Sequence, residues 1–540
     1  MCRGESRPDE DEMMRRSNHR TSHVAIAVAT ALATGTLGGC AWPETDISST
    51  TTTTGTDSTL TEYPFNCWGD PSPDNTIDDC VVFARADAEG EGNGTKAEPY
   101  SSLQTAIDQA SKLNKRVFAC GDAAFEGAFF VDAPIELWGG FDCSDWHYSS
   151  VARTKIEGPA DQPAITLSMS SAGALLVSLA TFTPSSEKPG GSAIGMLVDA
   201  VEKQTFVWRC DITAGEGRDG LDGDPPTGPA KAGADAAFAG QDGAPSDACA
   251  AAPEVAGGEP GATDCDDGKS TGGQGGPGAT APNGDGQDGS NGMPMPPDNP
   301  TLAGLGGDGQ SAAKACFDGA TGATGMFGGS GHGAETKGHA SVHGIDAVGG
   351  EAGTRGARGQ GGGGGGGARA GLFCMSGNTP VEGPGASGGG GGAGGCGGKG
   401  GAGGMAGGDS IGILTLGGKL VVNYTTINIG RAGHGGAGAA GQPGGPGGKG
   451  ASGGASSGMA ASMPGCSGGD GGQGGPGGPG GGGRGGHSVG IAYYSTKPVM
   501  NYVHAVPGDK GEGGLGGPGN ELQGEGIDGV TAEYAEFTSL

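Results

Sequence analysis

Glycine at every third position narrows what this chain can fold into more than any other feature. Gly217, Gly220 and Gly223 keep that spacing, as do Gly430, Gly433 and Gly436, and then Gly508, Gly511, Gly514 and Gly517; residues 468–480 read GGDGGQGGPGGPG. Three residues per turn is the period of a polyproline II-type helix, an extended form with no hydrogen bonds of its own, which polyglycine also adopts. With 126 glycines in 540 residues and only 34% hydrophobic residues, these tracts have no apolar surface to offset their ordering entropy. They therefore bond laterally to one another, polyglycine II-like, or stay disordered; both remain open. A collagen triple helix is excluded, because residues 361–367 are all glycine and the Gly-X-Y phase breaks repeatedly.

The apolar residues sit in islands between the tracts. Ala193-Ile194-Gly195-Met196-Leu197, Ser410-Ile411-Gly412-Ile413-Leu414 and Ser488-Val489-Gly490-Ile491-Ala492 match position by position, and each is followed by a second apolar run, at 205–212, 420–429 and 498–506. Asn423-Tyr424 and Asn501-Tyr502 stand at the same offset from the shared glycine. A unit this short cannot bury its apolar face alone, so the three are expected to stack in parallel. Upstream, Leu103, Ala106, Ile107, Ala110 and Leu113 share one helical face behind a capping box of Ser101 and Gln104. Short strand-like runs follow at 116–120, 127–131, 134–138, 163–169 and 174–181.

Asn93-Gly94-Thr95, Pro99-Tyr100-Ser101-Ser102-Leu103-Gln104 with Ala106-Ile107, and then a short strand ending before Gly121 resemble the N-terminal cap of pectin-lyase-like right-handed β-helices. The mature chain as a whole resembles the glycine-rich PGRS-type bacterial proteins, in the variety built on β-helix coils. The resemblance implies a mainly β fold: a right-handed parallel β-helix with an N-terminal helical cap and long glycine-rich excursions. The expected organisation is cap and coils over 63–213, an excursion over 214–408, a coil at 409–429, an excursion over 430–486, a coil at 487–506, and a short glycine-rich segment with a C-terminal strand over 507–540. The long excursion is expected to loop out and return with little bearing on stability.

Residues 1–39 read as a lipoprotein signal peptide. Met13-Met14-Arg15-Arg16 begins a basic region, with translation expected to start at Met13 or Met14. An apolar run over 24–36 ends in Leu37-Gly38-Gly39-Cys40, which resembles a lipobox with Cys40 as the lipidated residue. Ala41 rather than Asp after that cysteine implies, by resemblance to Gram-negative sorting, an outer-membrane lipoprotein facing the periplasm or the surface. Residues 40–62 form a Ser/Thr-rich tether. Export makes disulfides expected. Near neighbours suggest Cys67 with Cys80, Cys120 with Cys143, Cys249 with Cys265 and Cys374 with Cys396, and Cys316 with Cys466 at long range. Cys210 is left over as a buried free thiol.

The formal charge of −30 argues against nucleic acid or an anionic lipid surface as partner. The membrane is reached through the lipid, and an envelope, matrix or polysaccharide partner is expected. No catalytic constellation emerges. Gly331-His332-Gly333 and Gly433-His434-Gly435 match one polygalacturonase element but read as solvent loops; Asp78-Asp79 and Asp266-Asp267 lie outside any coil, and Arg153-Thr154-Lys155 is in the wrong order. The leading reading is a lipid-anchored, non-catalytic structural or interaction protein, scaffold or adhesin-like, without a cofactor. The alternatives are a diverged polysaccharide lyase or glycoside hydrolase, and a calcium-stabilised module using Asp219, Asp222, Asp224, Asp285 and Asp288, whose spacing suits oxygen ligation.

Overall fold

The computed structural model describes residue 67 and residues 69–168, 173–240, 255–280, 284–376, 378–456 and 463–539. The signal peptide, Cys40 and the Ser/Thr tether lie outside the described residues.

Strand pairing follows chain order. An eleven-stranded sheet runs Val81–Arg85, Arg116–Cys120, Ile135–Phe141, Ala174–Val177, Ala193–Trp208, Ser410–Asn423, Ser488–Tyr493, Thr531–Glu536, with shorter strands attached to it. A second sheet of six strands runs from Phe125–Glu126 through Thr154–Glu157, Leu179–Thr183, Asp211–Ala214 and Thr426–Ile429 to His504–Val506. The three glycine-containing units are neighbours in the first sheet: Ile194 pairs with Ile411 and Ile411 with Val489, all parallel. The shared glycine has a steric cause. A Cβ at Gly195 would come 2.8 Å from Ile212 Cγ2, one at Gly412 would overlap Ile427 Cγ2, and one at Gly490 would come 2.7 Å from Ala505 Cβ. Glycine at that column lets the second sheet approach the first.

The architecture corrects the β-helix expectation. Nine of the parallel strands of the first sheet form a half-barrel that curls through 265°, and with one helix among the described residues the fold is closer to an α/β barrel than to a solenoid. The reason lies in the two longest strands. Where the sequence suggests a short unit followed by a second apolar run, Ala193–Trp208 and Ser410–Asn423 are continuous strands of 16 and 14 residues. Their mutual register shifts at Val198/Asp199 and again at Asp199/Gln204. Such irregularities bend and twist a strand without ending it, so the first sheet curves where these two long strands cross it.

The middle of the first sheet is covered on both faces, as parallel sheets usually are. Met196, Val198, Ile413 and Ile491 join the main core with Ile212 and Ile427, whereas Ile194, Leu197, Ile411, Leu414 and Val489 pack outward against Ala340, Ile345 and Phe537. The helix Leu103–Leu113 buries Leu103, Ala106, Ile107 and Ala110 in the main core. Its cap is Ser102, not Ser101: the Ser102 hydroxyl accepts from Thr105 N at 3.2 Å. Gln104 does not close a capping box. It clips the helix to the strand Phe129–Val131, accepting from Phe130 N at 2.8 Å and donating to Phe130 O at 2.9 Å.

The described glycine tracts are ordered, extended threads that bond laterally, and this corrects the picture of excursions looping out. Along 433–448, every third N–H (Gly433, Gly436, Ala439, Gln442, Gly445, Gly448) donates to the antiparallel thread at Gly408, Met405, Ala402, Lys399, Cys396 and Ala393, at 2.8–2.9 Å. The thread over 361–367 is surrounded. Gly361, Gly364 and Gly367 donate to Met293, Ser290 and Gln287; Gly362 and Gly365 donate to Gly392 and Gly389; Gly363 and Gly366 donate to Ala320 and Phe317. All three faces meet backbone, which is why the Gly-X-Y phase collapses there into seven consecutive glycines. Peripheral threads need glycine only on the face turned inward.

Candidate functional site

The residues singled out from sequence for metal or catalysis are mostly engaged in holding threads together. Asp219 accepts from His434 N at 2.8 Å and Asp222 from Ala437 N at 2.7 Å. Asp288 does the same for Gly309 N at 2.7 Å. Asp285 pairs with Arg369 at 3.5 Å, and Asp224 contributes its backbone carbonyl to Ala402 N at 3.4 Å. Sequence reasoning missed Asp235, Asp318, Asp470 and Asp528, which have the same role, accepting from Lys449, Ser467, Gly450 and Gly513 N at 2.6–2.9 Å. A short carboxylate reaches a backbone N–H that faces no neighbouring carbonyl and so ties one thread to the next. Burial works to raise the Asp219 pKa, but the His434 N–H and the Arg431 guanidinium outweigh it and hold the group below its ordinary value. Among the described residues, no three His, Cys, Asp or Glu side chains gather as metal ligands, so the proposed calcium set is not brought together.

The Gly-His-Gly elements are not solvent loops. Gly331 N donates to Pro479 O, Gly433 N donates to Gly408 O, and His434 Nδ1 accepts from Glu512 N at 3.0 Å, so both copies lie within threads. Asp266 and Asp267 pair with Arg355 and Arg358, at 2.5 and 3.2 Å. Arg153 pairs with Asp211 at 3.4 Å.

Disulfides join Cys67 to Cys80, Cys120 to Cys143 and Cys316 to Cys466. Cys265 is bonded to Cys396, which replaces both the Cys249–Cys265 and the Cys374–Cys396 pairings. The hairpin Ala262–Cys265/Gly268–Thr271 packs on the thread containing Cys396, bringing together residues 131 apart in sequence. Cys249 and the side chain of Cys374 fall outside the described residues. Cys210 is free and fully buried, and burial pushes its thiol up to about 12, which removes it as a nucleophile.

A cleft of about 750 Å³ opens on the outer face of the first sheet, where the strands Ile165–Ser168 and Ala193–Trp208 meet the hairpin His339–Ser341/Gly344–Ile345. That hairpin is pinned by pairing of His339 with Thr538 in the C-terminal strand and by Phe537 beneath it. Phe130, Ile194, Leu197 and Val342 give the cleft apolar walls. Asp161 is anchored by the Ser186 hydroxyl and by Lys188 Nζ at 3.5 Å. Asp199 and Asp346 line the cleft without an ion-pair partner among the described residues, and His343 stands exposed at its rim. A ligand with apolar surface and hydrogen-bond donors or positive charge suits such walls.

Comparison with protein-family models, with curated proteins and with solved structures finds no match.

Proposed function

We propose that this chain is a lipid-anchored, non-catalytic structural and interaction protein of the bacterial envelope, in the manner of the PGRS-type proteins it resembles. Cys40 supplies the anchor, the Ser/Thr-rich segment to residue 62 supplies reach, and the mature chain offers a rigid surface facing the periplasm or the exterior. One observation carries the reading: carboxylates of the glycine tracts accept backbone N–H groups that fix neighbouring threads, Asp219, Asp222, Asp235, Asp288, Asp318, Asp470 and Asp528 among them. A paired-carboxylate mechanism needs two such groups facing a bond, with one free to hold a proton. Here they are committed as acceptors. The cleft beside Asp199 and Asp346 is the natural contact surface for an envelope or matrix partner.

The test is release of reducing ends or unsaturated products from neutral and acidic polysaccharides by the purified chain. The reading expects none. Turnover that a single Asp, Arg or His substitution abolishes overturns it.

A further inference from the structure

Between the two sheets, the chain turns one corner in the same way four times. Ser178, Arg209, Tyr424 and Tyr502 follow the paired positions Val177, Trp208, Asn423 and Asn501, and take φ of 53°, 53°, 50° and 52°. They are stacked by Ser178 N to Trp208 O, Arg209 N to Asn423 O and Tyr424 N to Asn501 O, each at 3.0 Å. A left-handed backbone disfavours bulky side chains, and glycine fits it without strain. This chain has 126 glycines, yet it places tyrosine at the last two corners and leaves both exposed, Tyr424 by 51% and Tyr502 by 78%. Their rings stack at 4.8 Å and 11°, and in the preceding residues Asn501 Nδ2 donates to Asn423 Oδ1 at 2.8 Å. Beyond Tyr502 opens a hollow of about 180 Å³, bordered by Tyr502, Tyr534 and Glu533 over a floor of Met500, Val503 and Ala505. Lys497 sits over the Tyr534 ring at 4.1 Å.

We propose that this aromatic corner is a glycan-binding site that seats a pyranose ring of a neutral polysaccharide. The proposal deepens the reading of the chain as a non-catalytic contact protein and rests on it. A sugar ring presents C–H faces that pack on tyrosine and hydroxyls that donate to a carboxylate; Tyr502, Tyr534 and Glu533 offer both around one hollow. Tyrosine provides a large, rigid, amphipathic contact with few rotors to freeze. The net charge of −30 and the Glu533 carboxylate select against an acidic glycan.

The experiment is affinity electrophoresis of the full chain in detergent, through native gels cast with pullulan, galactomannan, hydroxyethyl cellulose or polygalacturonate. Retardation is expected in at least one neutral-glycan gel and not in polygalacturonate. It should fall at least tenfold in Tyr502→Ala and persist in Tyr502→Trp, with melting temperatures unchanged because the ring is exposed. No retardation in any neutral gel overturns the proposal, as does equal retardation of Tyr502→Ala. A dimer in size exclusion that Tyr502→Ala dissolves would assign the corner to a second copy instead. Shortening of the gel glycan would count against the non-catalytic reading alone, leaving the binding result intact.

Discussion

Arg484 and Asp409 form an ion pair of 3.1 Å in which each side chain is only 1% exposed, where glycine threads run into the strands Ser410–Asn423 and Ser488–Tyr493. Asp409 Oδ1 also accepts from His487 N at 2.7 Å, and Arg484 donates to Gly485 O at 2.8 Å. The pair locks two thread-to-strand crossings into one register. Removing one partner strands a buried charge. Asp409→Ala is expected to cost roughly 3–5 kcal/mol, and Asp409→Leu with Arg484→Met to recover part of it. Urea melts of the single and double variants measure both.

His487 lies beside that pair and is fully buried. Its Nδ1 accepts from Val530 N at 2.9 Å, so Nε2 carries the proton and donates to Lys337 O at 2.8 Å. Burial lowers its pKa, and the opposing pull of Asp409 does not restore it. The unfolded chain takes up the proton near about pH 6.5, the folded chain only at lower pH. The unfolded state thus binds more protons, and the contribution of His487 is full above about 6.5 and declines as pH falls toward the folded value. The stability difference between wild type and His487→Gln, measured from pH 8 to pH 5, should shrink on acidification. A constant difference would refute this.

Gly364 and Gly329 separate interior from edge. A Cβ at Gly364 would overlap the Gln274 carbonyl, whereas one at Gly329 would meet only Thr354 Oγ1 at 3.3 Å. Gly364→Ala is expected to cost about 3 kcal/mol by overpacking against backbone; Gly329→Ala should stay within about 0.5 kcal/mol. Thermal unfolding of the two variants checks the contrast.

The Cys265–Cys396 bond spans 131 residues. Closing so long a loop in the unfolded chain makes its loss worth about 4 kcal/mol. The Cys265→Ser/Cys396→Ser variant should show that loss in denaturant unfolding, and mass mapping of a non-reduced digest should recover the Cys265–Cys396 peptide pair.

Cys40→Ser should abolish incorporation of labelled palmitate and move the protein from the detergent phase to the aqueous phase in Triton X-114 partition. Retention of the variant with membranes would remove the anchor from the proposed function.

Local signals were legible and long-range ones were not. The match of Ile194, Ile411 and Val489 around a common glycine identified three strands that pair in register, because the apolar alternation and the glycine column both leave traces in sequence. The curl was not legible: register shifts near Asp199 fuse two runs into one strand, and no residue type announces them. The helix face was readable, but Ser101 and Ser102 compete for the same cap, and Gln104 satisfies itself on Phe130. The threefold period was plain, yet the partner of each thread was hidden. Glycine backbones bond to other glycine backbones with no side chain to encode the pairing. The same blindness misassigned Cys265 and Cys396, since near neighbours in sequence are not near neighbours among threads.

The threefold face rule also sets how such a protein changes length over generations. Adding or losing three residues in a thread restores every later glycine to the same side, one step further along. A change of one or two rotates all that follows, turning side chains inward against backbone at each turn. A thread with glycine on one face therefore carries a second reading frame, in residues rather than nucleotides, in which nine bases is the tolerated step; a stretch with glycine on every face, such as 361–367, is free of it.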